Sequence, residues 1–331
     1  IPKIERFEKP VIAFTHAVSG ADTCAYLRSI GREGYYAIDV EELNWQLQRL
    51  WVRKALQNTR ILVLTAGSVP TWGLLSNIKD YEKLRRRYGF EVVRVPFTDI
   101  LPFLDEVDEN EALKLADSLA SGAEKNKMSL DYLSNDLKYY LAAKKMMAYY
   151  DCNGFTTACV ELCRSLIPQE RKFVPCITHS LLKDEGYPSG CEEDLNALFE
   201  DNEMISLHHS VPCLKMNGFE SQNMKYQIYS FTGQGFGGKI QIDFAENQQQ
   251  EVTICRFDPS AEKMLVKCGK VTESEYTDFY CSPYYYIRVD DARRYIHRIM
   301  DFGHHQVLIF GDYRQQLQDV ADLLDFEIVP G

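Results

Sequence analysis

The feature that most limits how this chain can fold is a change of pattern partway along it. In the first half, short apolar runs rich in β-branched residues alternate with helix-like segments. "PVIAF" (10–14), "YYAIDV" (35–40), "RILVLTAG" (60–67) and "FEVVRVPF" (90–97) have the length and composition of buried strands. Between them, "EELNWQLQRLWVRKALQ" (41–57) repeats Leu43, Leu47, Leu50 and Leu56 near helical spacing, and "NIKDYEKLRRRYG" (77–89) closes on Gly89, a helix C-cap residue. Residues 109–150 read as two long helices. Parallel strands need long crossovers and helices supply them, so this alternation predicts a mainly parallel sheet with helices on its faces.

After about residue 205 the pattern becomes strand, turn, strand. "KYQIYSF", "KIQIDF", "EVTICRF", "KMLVKCGKV" and "YYYIRV" alternate with turn residues and predict antiparallel strands in a barrel or sandwich. A last helix (312–324) and the strand "FEIV" close the chain.

Charge and cysteine usage narrow the partners. Asp and Glu total 48 against 37 Lys and Arg, a net charge of −11, which repels a phosphate backbone. Arg85-Arg86-Arg87 reads as the wet face of a helix, so neither nucleic acid nor an anionic membrane is an expected partner. The ten cysteines contain no C-x-x-C pair, against a zinc ribbon, a redox dithiol or a small disulfide framework. They suit a reducing compartment, and a cytoplasmic protein is expected. No apolar run approaches the roughly 18–20 residues that span a bilayer.

Three local patterns bear on chemistry. "GQGFGG" (233–238) matches a dinucleotide fingerprint in form, but the strand "KIQIDF" follows it where that loop needs a helix, so a turn between strands is expected. "GYPSGCEEDLNALFE" (186–200) sets Glu192, Glu193 and Asp194 after a glycine-containing turn at the expected start of a helix. Acids there complement the helix dipole, which is the plain explanation. The approach is apolar, however, and a carboxylate in such surroundings is costly without a partner. Two histidine doublets complete the set: His208 and His209 in "LHHSVP", and His304 and His305 in "DFGHHQVLIFGDY". A buried histidine is more often a hydrogen-bonded core residue than a ligand. Together, Glu192, His208 or His209, and His305 each border a regular element, and carboxylate with imidazole suits Mn²⁺, Mg²⁺ or a related ion.

The runs "GCEEDLNAL", "ISLHHSVPCLKM", "VTICRFDPSAEKMLVKCGKV" and "GHHQVLIFGDY" resemble the L-fucose/L-arabinose isomerase superfamily, in particular its fucose-isomerase-like members, from about residue 60 onward. The resemblance implies a metal-dependent aldose–ketose isomerase working through an enediol, with Mn²⁺ as cofactor and a free monosaccharide as substrate. It implies Rossmann-like parallel-sheet domains followed by a β-barrel-like domain. Residues 1–58 would be the remnant of an N-terminal α/β domain, 59–204 a Rossmann-like domain with the acidic motif, and 205–331 the barrel-like domain with the histidines. A homo-oligomer, trimer or hexamer, is implied as well.

By position, Glu192 would be metal ligand and acid/base, Asp194 the second catalytic carboxylate of the Glu-x-Asp motif, and His305 a ligand with His208 or His209. His304 and Glu193 would contact substrate. "VLIF" would be the buried strand fixing the doublet, and Asp312 the cap of the final helix. The resemblance also implies a metal-binding carboxylate on a strand between the acidic and histidine motifs. Only "NALFEDNEMIS" separates them here, with Glu200, Asp201 and Glu203 the nearest acids. We therefore expect segments to be missing near 199–202 and at the N-terminus. The competing readings are a sugar-binding or regulatory relative without catalysis, and a metal-dependent aldolase or hydrolase.

Overall fold

A computed structural model describes residues 8–67, 74–195, 204–206, 225–230, 232, 234–242, 251–275 and 284–331, with backbone alone at 204–206, 273–275 and 284. The chain divides into two compact units, Ile1–Asn58 and Thr59–Gly331. In the first, β1 (Val11–Phe14) and β2 (Gly34–Ala37) pair in parallel across α1 (Ser19–Ser29), and α2 (Val40–Gln57) comes next. The strand expected over 35–40 ends early because Asp39 turns to cap α2. Its side chain accepts from the Glu42 N–H, and Glu42 reaches back to the Ile38 N–H.

The second unit opens with β3 (Arg60–Thr65), α3 (Tyr81–Tyr88) and β4 (Glu91–Pro96). Gly89 closes α3 at φ 86°, where a side chain would be strained. Next come α4 (Ile100–Asp105), α5 (Glu109–Gly122), β5 (Lys125–Asn126), α6 (Leu130–Tyr149) and β6 (Gly154–Thr157). Then α7 (Cys159–Arg164), α8 (Ile167–Arg171) and α9 (Cys176–Asp184) lead to β7 (Ser189–Cys191). The order β4-β3-β6-β7 is parallel throughout. After β4 the chain crosses to the far side of β3, so the winding reverses between β3 and β6. Open α/β sheets take ligands beyond the carboxyl ends of their strands at such a reversal.

The core of this part is Leu62, Leu64 and Phe155 of the sheet against Leu133, Leu137, Tyr139, Ala142, Ala143 and Met146 of α6. Each fully buried large side chain contributes about 1.5–3 kcal/mol. Ser129 caps α6 by accepting from the Tyr132 N–H.

The remaining elements are β8 (Met204–Ser206), β9 (Tyr226–Ser230), β10 (Gly238–Ile242), β11 (Glu251–Phe257), β12 (Lys263–Glu275), β13 (Tyr284–Val289), α10 (Ala292–Phe302), β14 (Val307–Phe310), α11 (Arg314–Leu324) and β15 (Glu327–Pro330). A separate antiparallel sheet runs β13-β12-β11-β14-β8, with β15 added in parallel to the first part of β12. Gly238, the last residue of "GQGFGG", opens the strand β10, the antiparallel partner of β9, so among the described residues a strand stands where the fingerprint needs a helix.

Contacts cross the boundary expected at 204/205. β9 pairs in parallel with β5, and buried Asp136 of α6 accepts the N–H groups of Val174 (2.8 Å) and Gly238 (2.7 Å), stitching β10 to the helical layer. Asp312 accepts the Arg314 N–H at 3.1 Å, but α11 begins only at Arg314 and its N-cap residue is Tyr313. Among the described residues, no helix is long and apolar enough to cross a membrane.

Candidate functional site

Beyond the end of β7 the chain makes a tight turn through Glu192 and Glu193. Glu192 and Glu193 have φ of 60° and 54°. Non-glycine residues held there cost of order 1–3 kcal/mol each, so the surroundings must over-determine the turn. Asn77 provides much of that. Its amide Nδ2 donates to the Glu193 carbonyl and its Oδ1 accepts the Leu195 N–H at 3.1 Å. The Glu193 N–H donates to Thr157 O of β6, and the Asp194 N–H to Cys191 O. The stretch 196–203 lies outside the described residues.

The turn sends its three carboxylates inward, to 3%, 1% and 3% exposure at Glu192, Glu193 and Asp194. Asp194 Oδ2 meets Arg256 Nη1 at 2.8 Å and His305 Nδ1 at 2.7 Å. His305 Nε2 lies 3.3 Å from Glu192 Oε2. The result is a buried row, Glu192–His305–Asp194–Arg256, built from the turn after β7, the approach to β14, and β11. Arg256 is fully buried and also donates to Phe302 O (2.7 Å) and Ser76 Oγ (3.3 Å).

Electrostatics separate Asp194 from Glu193. Burial opposes charge on Asp194, but the Arg256 guanidinium and His305 outweigh it and hold its carboxyl well below the usual carboxylate range. An ionised Asp194 accepts the proton on His305 Nδ1, which turns Nε2 toward Glu192. Burial pushes the Glu193 carboxyl up, offset in part by a hydrogen bond from Thr65 and the charge of Arg94, with Glu161 pushing further upward. Glu193 thus lies by Thr65 and Ala66, at the carboxyl end of β3. Arg94 donates there to Thr65 Oγ1 at 2.9 Å and lies 5.4 Å from the ring of Tyr81.

Of the residues singled out in the sequence, Glu192, Asp194 and His305 come together, and Glu193 borders them on the β3 side. His304 is exposed, its ring 4.6 Å from that of His305. His208 and His209 lie outside the described residues. Sequence reasoning missed Arg256, Asn77, Ser76 and Arg94. Arg256 left a usable signal: it shares a strand face with Val252 and Ile254, and an ionisable residue on a core face needs a partner.

Among the described residues no group of three or more His, Cys, Asp or Glu side chains is arranged to hold a metal ion. Two donor atoms do face one another, Glu192 Oε2 and His305 Nε2. The contact of His305 Nδ1 with Asp194 is the outer-shell arrangement that orients metal-bound imidazoles. Compared with protein-family models the chain matches none, and it matches no curated protein.

Proposed function

We propose that this protein is an aldose–ketose isomerase acting on a free monosaccharide through an enediol, with the buried row Glu192–His305–Asp194–Arg256 as its acid–base machinery. The observation that carries the reading is the convergence of Glu192 and His305, 113 positions apart, at 3.3 Å beside a fixed carboxylate. The place of the row, beyond the carboxyl end of a parallel sheet, supports it further. So does the resemblance of the same motifs to the L-fucose/L-arabinose isomerase superfamily.

Isomerisation moves a proton between C2 and C1 of the open-chain sugar while the carbonyl and hydroxyl exchange places. In this reading Glu192 takes and returns the carbon-bound proton, and His305 turns the lone pair of Nε2 toward the substrate oxygens and any bound ion. Asp194, fixed by Arg256, keeps His305 in the tautomer that presents Nε2. Its role is positioning rather than the catalytic one that the motif implied. Glu193, Arg94 and Thr65 would meet sugar hydroxyls at the β3 end. The donor pair fits a divalent ion such as Mn²⁺, which Glu192 and His305 would hold with His208 or His209. When bound, that ion polarises the carbonyl and steadies the developing negative charge. Rossmann-like and barrel-like descriptions of the two sheets, a homo-oligomer and a cytoplasmic location belong to the same proposal.

The test is incubation of metal-loaded protein with a panel of aldoses in heavy water. Ketose carrying deuterium at the former C2–H or C1–H position supports the assignment. Sugar binding with no exchange at either carbon would transfer the protein to the non-catalytic class.

A further inference from the structure

The ribbon formed by β9 and β10 has two unlike faces. Gly238, Ile240 and Ile242 share one with their partners Ser230, Ile228 and Tyr226. That face packs on the helical layer, where a side chain at Gly238 would strike Ile177, Met128 and Asp136. The opposite face carries Lys239 beside Tyr229 and Gln241 beside Gln227. Every residue of β10 is buried, and Lys239 and Gln241 are fully so. Alternation thus sets an ammonium group and a primary amide on an interior surface where a strand would ordinarily place Val or Ile.

The amide is the telling group. Among the described residues neither Gln241 Oε1 nor Nε2 has a hydrogen-bond partner, although both are sealed from solvent. Buried amides are nearly always satisfied, and an exception calls for an occupant that supplies the bonds. Lys239 Nζ lies 5.9 Å from the Tyr229 ring, so ammonium, phenol and amide line one surface. Side chains two apart on a strand are about 6.6 Å apart and directly opposed pairs about 5 Å, the span of one small ligand.

We propose that the face bearing Tyr229, Lys239 and Gln241 is one wall of a second ligand site, for a small oxyanion, carboxylate or phosphate. Donors outnumber acceptors on the surface: an ammonium has no acceptor, a phenol has one O–H, and an amide has two N–H groups beside the one carbonyl oxygen, which a ligand O–H such as that of monoprotonated phosphate can satisfy. Charge-assisted hydrogen bonds to an anionic oxygen are the strongest that these groups form. The inference is independent of the isomerase reading, since it uses none of the residues assigned there.

The experiment is thermal unfolding of the full chain after overnight equilibration with inorganic phosphate, acetate or chloride at matched ionic strength. A midpoint raised by phosphate or acetate above chloride supports the site, and the two arms distinguish phosphate from carboxylate ligands. Lys239→Met and Gln241→Leu should each weaken that binding roughly tenfold or more, the loss expected for one hydrogen bond to a charged group. Gln241→Leu replaces an unsatisfied amide with an apolar group of similar shape, so it folds even if Lys239→Met does not. No rise beyond chloride, or a rise unchanged in Gln241→Leu, overturns the proposal. The second result would leave Gln241 as an orphaned amide only.

Discussion

Arg256→Met removes the only cation hydrogen-bonded to Asp194 among the described residues while keeping most of the buried volume. The wild-type guanidinium makes three bonds, to Asp194 Oδ2, Phe302 O and Ser76 Oγ, and both charged partners are buried. Removing one member of a buried pair strands the other charge, at a cost of about 3–5 kcal/mol. At about 1.4 kcal/mol per tenfold, that is two to nearly four orders of magnitude of lost protection. Hydrogen exchange on peptides covering β11 and β14 reads this within the second unit alone.

The effect also carries a pH signature. Asp194 is held below its ordinary range, so its stabilisation is fully present above the unfolded-state value near 4 and is lost as pH falls below it. The gap between wild type and Arg256→Met should be widest near neutral pH and narrow in acid, as the stranded Asp194 of the variant takes up a proton. Pairing Arg256→Met with Asp194→Asn should recover part of the loss, because no stranded charge remains. A loss under about 1 kcal/mol at pH 7, or a gap that does not narrow in acid, would refute the argument.

Glu192→Gln and His305→Ala should each lower deuterium incorporation into sugar by roughly 10²–10⁴-fold with the circular dichroism spectrum retained; near-normal turnover in either removes that residue from the chemistry. Asn77→Ala strips the acidic turn of two hydrogen bonds and should destabilise the second unit by about 1–3 kcal/mol, seen as a lower urea midpoint and faster exchange at Cys191–Leu195. Asp136→Ala leaves the buried N–H groups of Val174 and Gly238 without their acceptor and should cost about 2–6 kcal/mol. Asp136→Asn, which keeps one acceptor oxygen, should cost roughly half as much by the same urea titration.

The alternation of strand and helix before residue 150 was legible because each segment carries its own period, and Gly89 because a left-handed cap leaves a local mark. Glu192, Asp194 and His305 could be picked out because acids and histidines beside apolar runs are conspicuous one at a time. Their convergence was not legible, since it depends on which strands are neighbours. Asn77 was invisible for the same reason: nothing near it in sequence announces that its amide will hold a turn more than a hundred residues away. The left-handed turn at the acids was not legible, because Glu192 and Glu193 carry no local mark of it and the amide that holds it is distant. The pairing of β9 with Lys125–Asn126 was not legible, because a two-residue strand is too short to leave a period.

The buried row draws on four stretches of chain: residues 76–77, 191–195, 256 and 302–305. The parallel sheet brings 76–77 to 191–195 and the antiparallel sheet brings 256 to 302, but the row itself closes only where the two meet, at the contacts of Asp194 with Arg256 and His305. Any molecule that binds there is bound only by the completed unit. Such a ligand would shift the unfolding equilibrium of the whole of residues 59–331, by an amount set by its concentration over its dissociation constant. Occupancy would thus stabilise the unit as a whole, and a destabilising substitution far from the row would weaken apparent affinity only once an appreciable fraction of the chain is unfolded.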